Sequence, residues 1–366
     1  MLTGSYSPRE VTFLLTDLSS VPLEVDLATR ERQIQAGRNY AEMLPIEYEP
    51  TPAYLELFDT LLAESAHEVA ENVGVLTEKM LAARDGDPVI VSLARAGTPI
   101  GILVRRWAEF AHGVSPEHYS ISIVRGRGID TVALDHVVAR HGAAPIVFLD
   151  GWTGKGAIVT ELMDALAAYE LGGGPSLPRD LAAVADPAGC ATLFGTRTDI
   201  LIPSACLNST VSGLVSRTVL NDKLIKPGMF HGAKVYRELT SSDRSAQFLD
   251  AISNEFAAVA GRVRTRVACE QNSEADVDWR GLTTVRRIQA EFGLGNWHLV
   301  KPGIGETTRV LLRRQPWQVL VQPARRDALR HVLLLAAEKG VPVVDYPDMP
   351  YSCIGLVQPT GQESAE

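Results

Sequence analysis

The residues best equipped for chemistry are gathered in one string, PIVFLDGWTGKGAI at positions 145–158. A short apolar run ends in Asp150, glycines follow at 151, 154 and 156, and a helical pattern begins near Gly156. Glycines let a backbone approach a ligand closely, and free N–H groups at a helix start attract anions. Lys155 would add charge and Thr153 a hydroxyl donor. The spacing excludes a Walker A loop, which would need glycine where Leu149 stands and a hydroxyl where Gly156 stands. The plainer alternative is a tight strand–helix turn that holds nothing.

Other chemistry-bearing groups recur at similar places. Arg95, Ala96 and Gly97 follow an apolar run, and Arg125 and Arg127 lie in the turn VRGRG, where they are either ligand-facing or solvated charges. Asp186, in ADPAG, is either a second acid or ordinary Asp-Pro turn chemistry. The segment LIPSACLNSTVSGLVSRT carries Cys206, Asn208, Ser209, Ser212 and Arg217. A thiol at a helix start can be a nucleophile, with His231 or His112 as its base, or a buried packing residue. Asn208, Ser209 and Arg217 could instead line an acceptor pocket.

These groups need elements to position them. VIVSL (89–93), YSISIVRG (119–126), AAPIVFLD (143–150), DLAAVAD (180–186) and DILIP (199–203) read as strands. Helical patterns open at Thr98-Pro99, run through TVALDHVVARHG and start again near Gly156. Strands alternating with helices predict a parallel, doubly wound sheet, whose ligands bind at the strands' carboxyl ends. Before it come an irregular stretch and a helix opened by Thr51-Pro52. A helical stretch (242–260) and a mixed, polar segment follow. Then come a helix (282–292), a loop KPGIGETTRVLLRR, a strand WQVLVQ, a helix ARRDALRHVLLLAAEKG and a strand VPVVDY.

Composition narrows the class. With 366 residues, 46% of them hydrophobic, two domains are expected. No run is apolar for the length of a membrane span, and the first residues lack a signal-peptide pattern. Cys190, Cys206, Cys269 and Cys353 make no CxxC pair, which points to reduced thiols in a cytoplasm. The eight histidines form no HExxH, which disfavours a zinc hydrolase. The net charge of −9 is uneven: residues 285–350 hold ten Lys and Arg against six Asp and Glu.

The chain resembles a bacterial phosphoribosyltransferase-like family also labelled StiP, found near tellurite- and stress-response operons. The strings that carry the resemblance are SYSPREVTFLL, GRNYAEMLPIEYEPTPAYL, SLARAGTPIG, HYSISIVRGRGID, FLDGWTGKGAI, ADPAG and LIPSACLNSTVSGLVSRT. The resemblance implies an α/β, type I phosphoribosyltransferase-like parallel sheet with helices on both faces. It implies magnesium- and phosphoribosyl-pyrophosphate-dependent transfer to an unknown base or nucleoside-like acceptor, that is, a glycosyltransferase. Asp150 would hold the ribose hydroxyls, with Arg125 and Arg127 on a flap over the leaving group. Thr153, Gly154, Lys155 and Gly156 would cradle the 5′-phosphate. Arg95, Ala96 and Gly97 would bind pyrophosphate, bridged by magnesium with few protein ligands. The sequence departs from that pattern in its single acid, in its short loop, and in Gly156 where a hydroxyl residue is expected. The family's other label is a cysteine protease, so the alternatives are a peptidase using Cys206 and a non-catalytic nucleotide sensor that binds RNA.

The last seventy or so residues resemble the Pelota-type RNA-binding domain, a small α/β/α module. The strings are KPGIGETTRVLLRR, WQVLVQ and LAAEKGVPVVDYP. The resemblance implies RNA phosphates bound at the Gly-Ile-Gly-Glu turn and along Arg309, Arg313 and Arg314; a solvated basic helix face is the alternative. The expected division is 1–260, a linker 261–284, and 285–360. The expected partners are phosphoribosyl pyrophosphate, RNA and a second copy of the chain, with no membrane.

Overall fold

Apolar runs that read continuously rather than alternately belong to strands covered on both faces, and the long sheet bears this out. In a computed structural model, residues 2–26, 29, 32–33, 39–84, 86–270 and 277–358 are described. Short pieces come first: β1 (Thr12–Phe13), β2 (Thr16–Asp17), β3 (Glu24–Val25) and β4 (Leu44–Pro45). Helix α1 (Pro52–Ala82) starts where the Thr51 hydroxyl accepts the Tyr54 N–H at 3.3 Å, with Pro52 in its first turn. Then follow β5 (Val89–Ala94), α2 (Gly97–His112), β6 (His118–Val124), β7 (Gly128–Ile129) and α3 (Thr131–His141). Next are β8 (Ile146–Trp152), α4 (Ala157–Leu171), β9 (Leu181–Ala185) and β10 (Leu193–Thr196).

The main sheet runs β1-β6-β5-β8-β9-β10, all parallel, with β7 antiparallel on β6. Side chains of alternate residues enter separate cores. Val89, Val91 and Leu93 meet α3 and α4 on one face, while Ile90, Val147 and Leu149 meet α1 and α2 on the other. After β11 (Gly232–Ala233), helices α5 (Ser245–Ser253) and α6 (Phe256–Glu270) join α1 and α2 on that second face. This is a mixed α/β fold around a parallel sheet with helices on both faces.

The second unit has α7 (Arg280–Glu291), β12 (Val300–Pro302), α8 (Ile304–Arg313), β13 (Pro316–Val321), α9 (Arg330–Glu338), β14 (Val343–Asp345) and β15 (Cys353–Val357). Its strands run β12-β15-β13-β14. Val285 and Ile288 of α7 cover one face with Leu320, Ile354 and Leu356. Leu311 of α8 and Val332 and Ala336 of α9 cover the other, in a cluster that continues into the first unit through Leu201, Ile202 and Cys206.

Several expectations are corrected. DILIP is not a strand: residues 199–202 are irregular and a 3-10 turn, Pro203–Ala205, follows. Pro203 has no N–H to give a ladder, and the Asp199 carbonyl and carboxylate bond Ser352 instead. The helical stretch 242–260 is two helices that break near Asn254, and the polar segment beyond it stays helical to Glu270. KPGIGETTRVLLRR is β12 followed by α8 rather than a loop.

Candidate functional site

The carboxyl ends of β5 and β8 face the second unit, and the chemistry-bearing groups lie at that junction. β8 runs on to Trp152, so Asp150 sits within the strand, paired with Ala183. Burial raises its carboxyl to about 6, opposed by the Gly151 N–H, which it accepts at 2.7 Å. Gly97 abuts it: a Cβ there would lie 2.6 Å from the Leu149 carbonyl oxygen. That close approach explains the glycine. The Ala94–Arg95 peptide beside it is cis.

The turn after β8 is covered by the second unit. The Thr153 hydroxyl donates to Asp186, which is fully buried and also accepts from the Cys190 and Ala191 N–H groups and from Arg197. Asp186 is therefore a structural clamp. Tyr351 donates its hydroxyl to the Gly154 carbonyl at 2.5 Å, and the Trp279 ring lies against Gly156, which has φ +75°. The Lys155 ammonium donates to the Trp297 carbonyl at 2.7 Å and lies 5.0 Å from that indole ring. Burial, then Lys301, lowers the lysine to about 7, with Glu306 opposing and Arg125 reinforcing.

Arg95 turns toward Glu47, 3.6 Å away, and donates to the Val215 carbonyl at 3.4 Å. Glu47 also accepts the N–H and hydroxyl of Ser209, at 2.9 and 2.8 Å. Next to this group is Cys206, 2% exposed. Tyr54 and Arg313 both donate to its carbonyl oxygen, the guanidinium at 2.7 Å. Arg313 is held between units, with its guanidinium 4.9 and 5.2 Å from the Tyr48 and Tyr54 rings. Asn208 accepts from Arg309 at 3.5 Å. Burial pushes the Cys206 thiol up to about 12, while Arg313 and Arg309 pull the other way. Sequence reasoning missed Glu47 and the pairing of Arg313 with Cys206, because both partners come from segments far apart in the chain. It missed Asp199 too: a buried carboxyl, raised by burial to about 7, that accepts the Ser352 N–H at 2.8 Å across the junction.

The remaining expected groups lie elsewhere. Arg127 pairs with Asp222 at 3.2 Å on the surface, while Arg125 is exposed and acts electrostatically on Lys155 and Lys301. His231 bonds Ser122 at 2.9 Å and His112 bonds Glu78 at 2.9 Å, so neither serves Cys206. Cys190 and Cys353 are buried, their thiols raised by burial, to about 11 for Cys190. Cys269 is exposed beside Glu270 in the last turn of α6. Among the described residues no three His, Cys, Asp or Glu side chains gather as metal ligands. None of the described helices is long and apolar enough to cross a membrane.

The family profile described as tellurite-like stress resistance cysteine protease StiP matches residues 4–253. The chain belongs to the StiP family. A relative from Acinetobacter baylyi, named cysteine protease StiP, is 36% identical over 372 residues, covering 98% of this chain and 95% of that protein. A second profile, the PELOTA RNA binding domain, matches residues 279–359. These findings correct the expected activity. The StiP description and the relative's name both say cysteine protease, so the transfer of a phosphoribosyl group, and with it the glycosyltransferase class, is set aside. The magnesium expected as a bridge to pyrophosphate belonged to that reaction.

Proposed function

We propose that the chain is a thiol-dependent peptidase whose nucleophile is Cys206, held latent at the junction of the two units. The observation that carries this is electrostatic. Of the three buried cysteines, Cys206 is the one whose thiolate two guanidiniums, Arg313 and Arg309, favour. Asp199 acts the opposite way on Cys353, and Cys190 faces the Asp186 carboxylate. A thiolate beside arginine is the usual form of an active cysteine, whereas burial among apolar groups keeps a thiol inert. Both influences act on Cys206. Arg309 and Arg313 both lie on α8, so a local loosening that admits water to the sulfur while α8 stays in place would remove the opposing one and keep the guanidiniums beside it.

In the open form the sulfur would attack a peptide carbonyl carbon, forming an S–C bond and moving the carbonyl electron pair onto oxygen. The adjacent guanidiniums would stabilise that oxyanion. The thiol would release its proton to water, and collapse would break the C–N bond with the amine taking a proton from water as it leaves; water would then hydrolyse the thioester. Cleavage of an unfolded protein substrate by the full chain, wild type against Cys206→Ala, Cys190→Ala and Asp150→Asn, tests the assignment. The expected result is loss in Cys206→Ala alone; undiminished cleavage by that variant would reject it.

A second reading concerns the C-terminal unit alone: RNA binding. Its support is the match of residues 279–359 to an RNA-binding domain and the cations that flank α8.

A further inference from the structure

Cations gathered across a domain boundary, with one carboxylate acting among the described residues there, attract a counter-charge from outside the chain. Arg125 of the first unit and Arg309 and Arg314 of the second act electrostatically on Lys301, and Arg125 and Lys301 act on Lys155. Among the described residues Glu306 is the carboxylate acting on this group, and it is already paired with Arg309 at 3.0 Å. Burial and the three guanidiniums hold the Lys301 ammonium below its ordinary value, with Glu306 opposing.

A second observation extends the surface. Arg314 also lines a shallow groove of about 450 Å³ with Gln315, Trp317, Lys339 and Gln358, and no carboxylate among the described residues borders it. Trp317 is 38% exposed, although it is a large aromatic residue. A part-exposed indole, set edge-to-face with Phe292 and beside cations and side-chain amides, suits an unstacked base: a surface to stack on, phosphate counter-charges, and donors and acceptors for base edges. A duplex keeps its bases stacked inside and could not use the indole.

We infer that a single strand of RNA crosses the boundary between the units, its backbone on Arg125, Lys301 and Arg314 and a base on Trp317. This rests on the reading of the C-terminal unit as RNA-binding, and deepens it by giving the first unit a share of the surface.

Fluorescence anisotropy of the full chain with a labelled single strand of about twelve nucleotides, and with its duplex, over a salt series provides the test. Arg125→Gln should weaken binding several-fold and reduce the salt slope by about 0.7, the value for one phosphate contact on a single strand. Trp317→Ala should weaken it about tenfold or more with the slope unchanged. Arg140→Gln, which removes an exposed charge elsewhere, should do neither. Unaltered binding by both Arg125→Gln and Trp317→Ala would overturn the path while leaving RNA binding standing. Equal losses in Arg140→Gln, or tighter binding of the duplex, would also overturn it. No binding by the wild type would sink the RNA reading and the path together.

Discussion

At Cys206 a thiol that two guanidiniums would ionise stays protonated because it is sealed from water. Raised from 9.0 to about 12, it should react with iodoacetamide in the native chain roughly two to three orders of magnitude more slowly than a free thiol. Mass spectrometry of the labelled peptide, native against urea-unfolded, measures that ratio. Asp199 makes a second prediction at this scale. Its carboxyl is raised by burial from 3.8 to about 7, so the folded chain holds a proton there that the unfolded chain releases. A raised group stabilises fully below its unfolded value and loses that contribution as pH climbs through the folded one. Between about pH 4 and 7 the loss should be on the order of 1 kcal/mol per pH unit. The difference in urea stability between wild type and Asp199→Asn should therefore change across that window and flatten outside it. A pH-independent difference would show that Asp199 does not titrate on folding.

At the scale of elements, the turn between β5 and α2 depends on Gly97 lying against the backbone of β8. Gly97→Ala would drive a Cβ to 2.6 Å from the Leu149 oxygen, at a cost of about 1–3 kcal/mol in denaturant unfolding. A neutral substitution would mean that this turn yields freely. The sequence made these elements legible where one local pattern decides them. The apolar runs of β5, β6, β8 and β9, the Thr51 cap and the glycine turns were all readable. DILIP was not, since its polar groups find partners in the second unit some 150 residues on. β15 was missed because its place between β12 and β13 is decided by pairing with both. The site was legible in part. Arg95, Asp150, Lys155 and Cys206 stood out as types, but their partners Glu47, Trp297 and Arg313 emerge only in three dimensions.

Across the whole molecule, the junction carries both functional readings. Its apolar cluster is continuous from Cys206 to Leu311 and Val332. Arg313 pins it by a hydrogen bond and two aromatic faces. Arg313→Ala should cost roughly 2 kcal/mol in the thermal or denaturant stability of the junction and remove one of the two guanidiniums that favour the Cys206 thiolate. The central claim, a latent nucleophile at Cys206, is tested most directly by labelling the full chain with a peptide carrying a thiol-reactive electrophile. The modified residue is then mapped by mass spectrometry, in wild type and in Arg313→Ala. Labelling of Cys206 in addition to the exposed Cys269, and slower at Cys206 in Arg313→Ala, is the result predicted here. A chain that cleaves peptides while Cys206 stays unlabelled would contradict it.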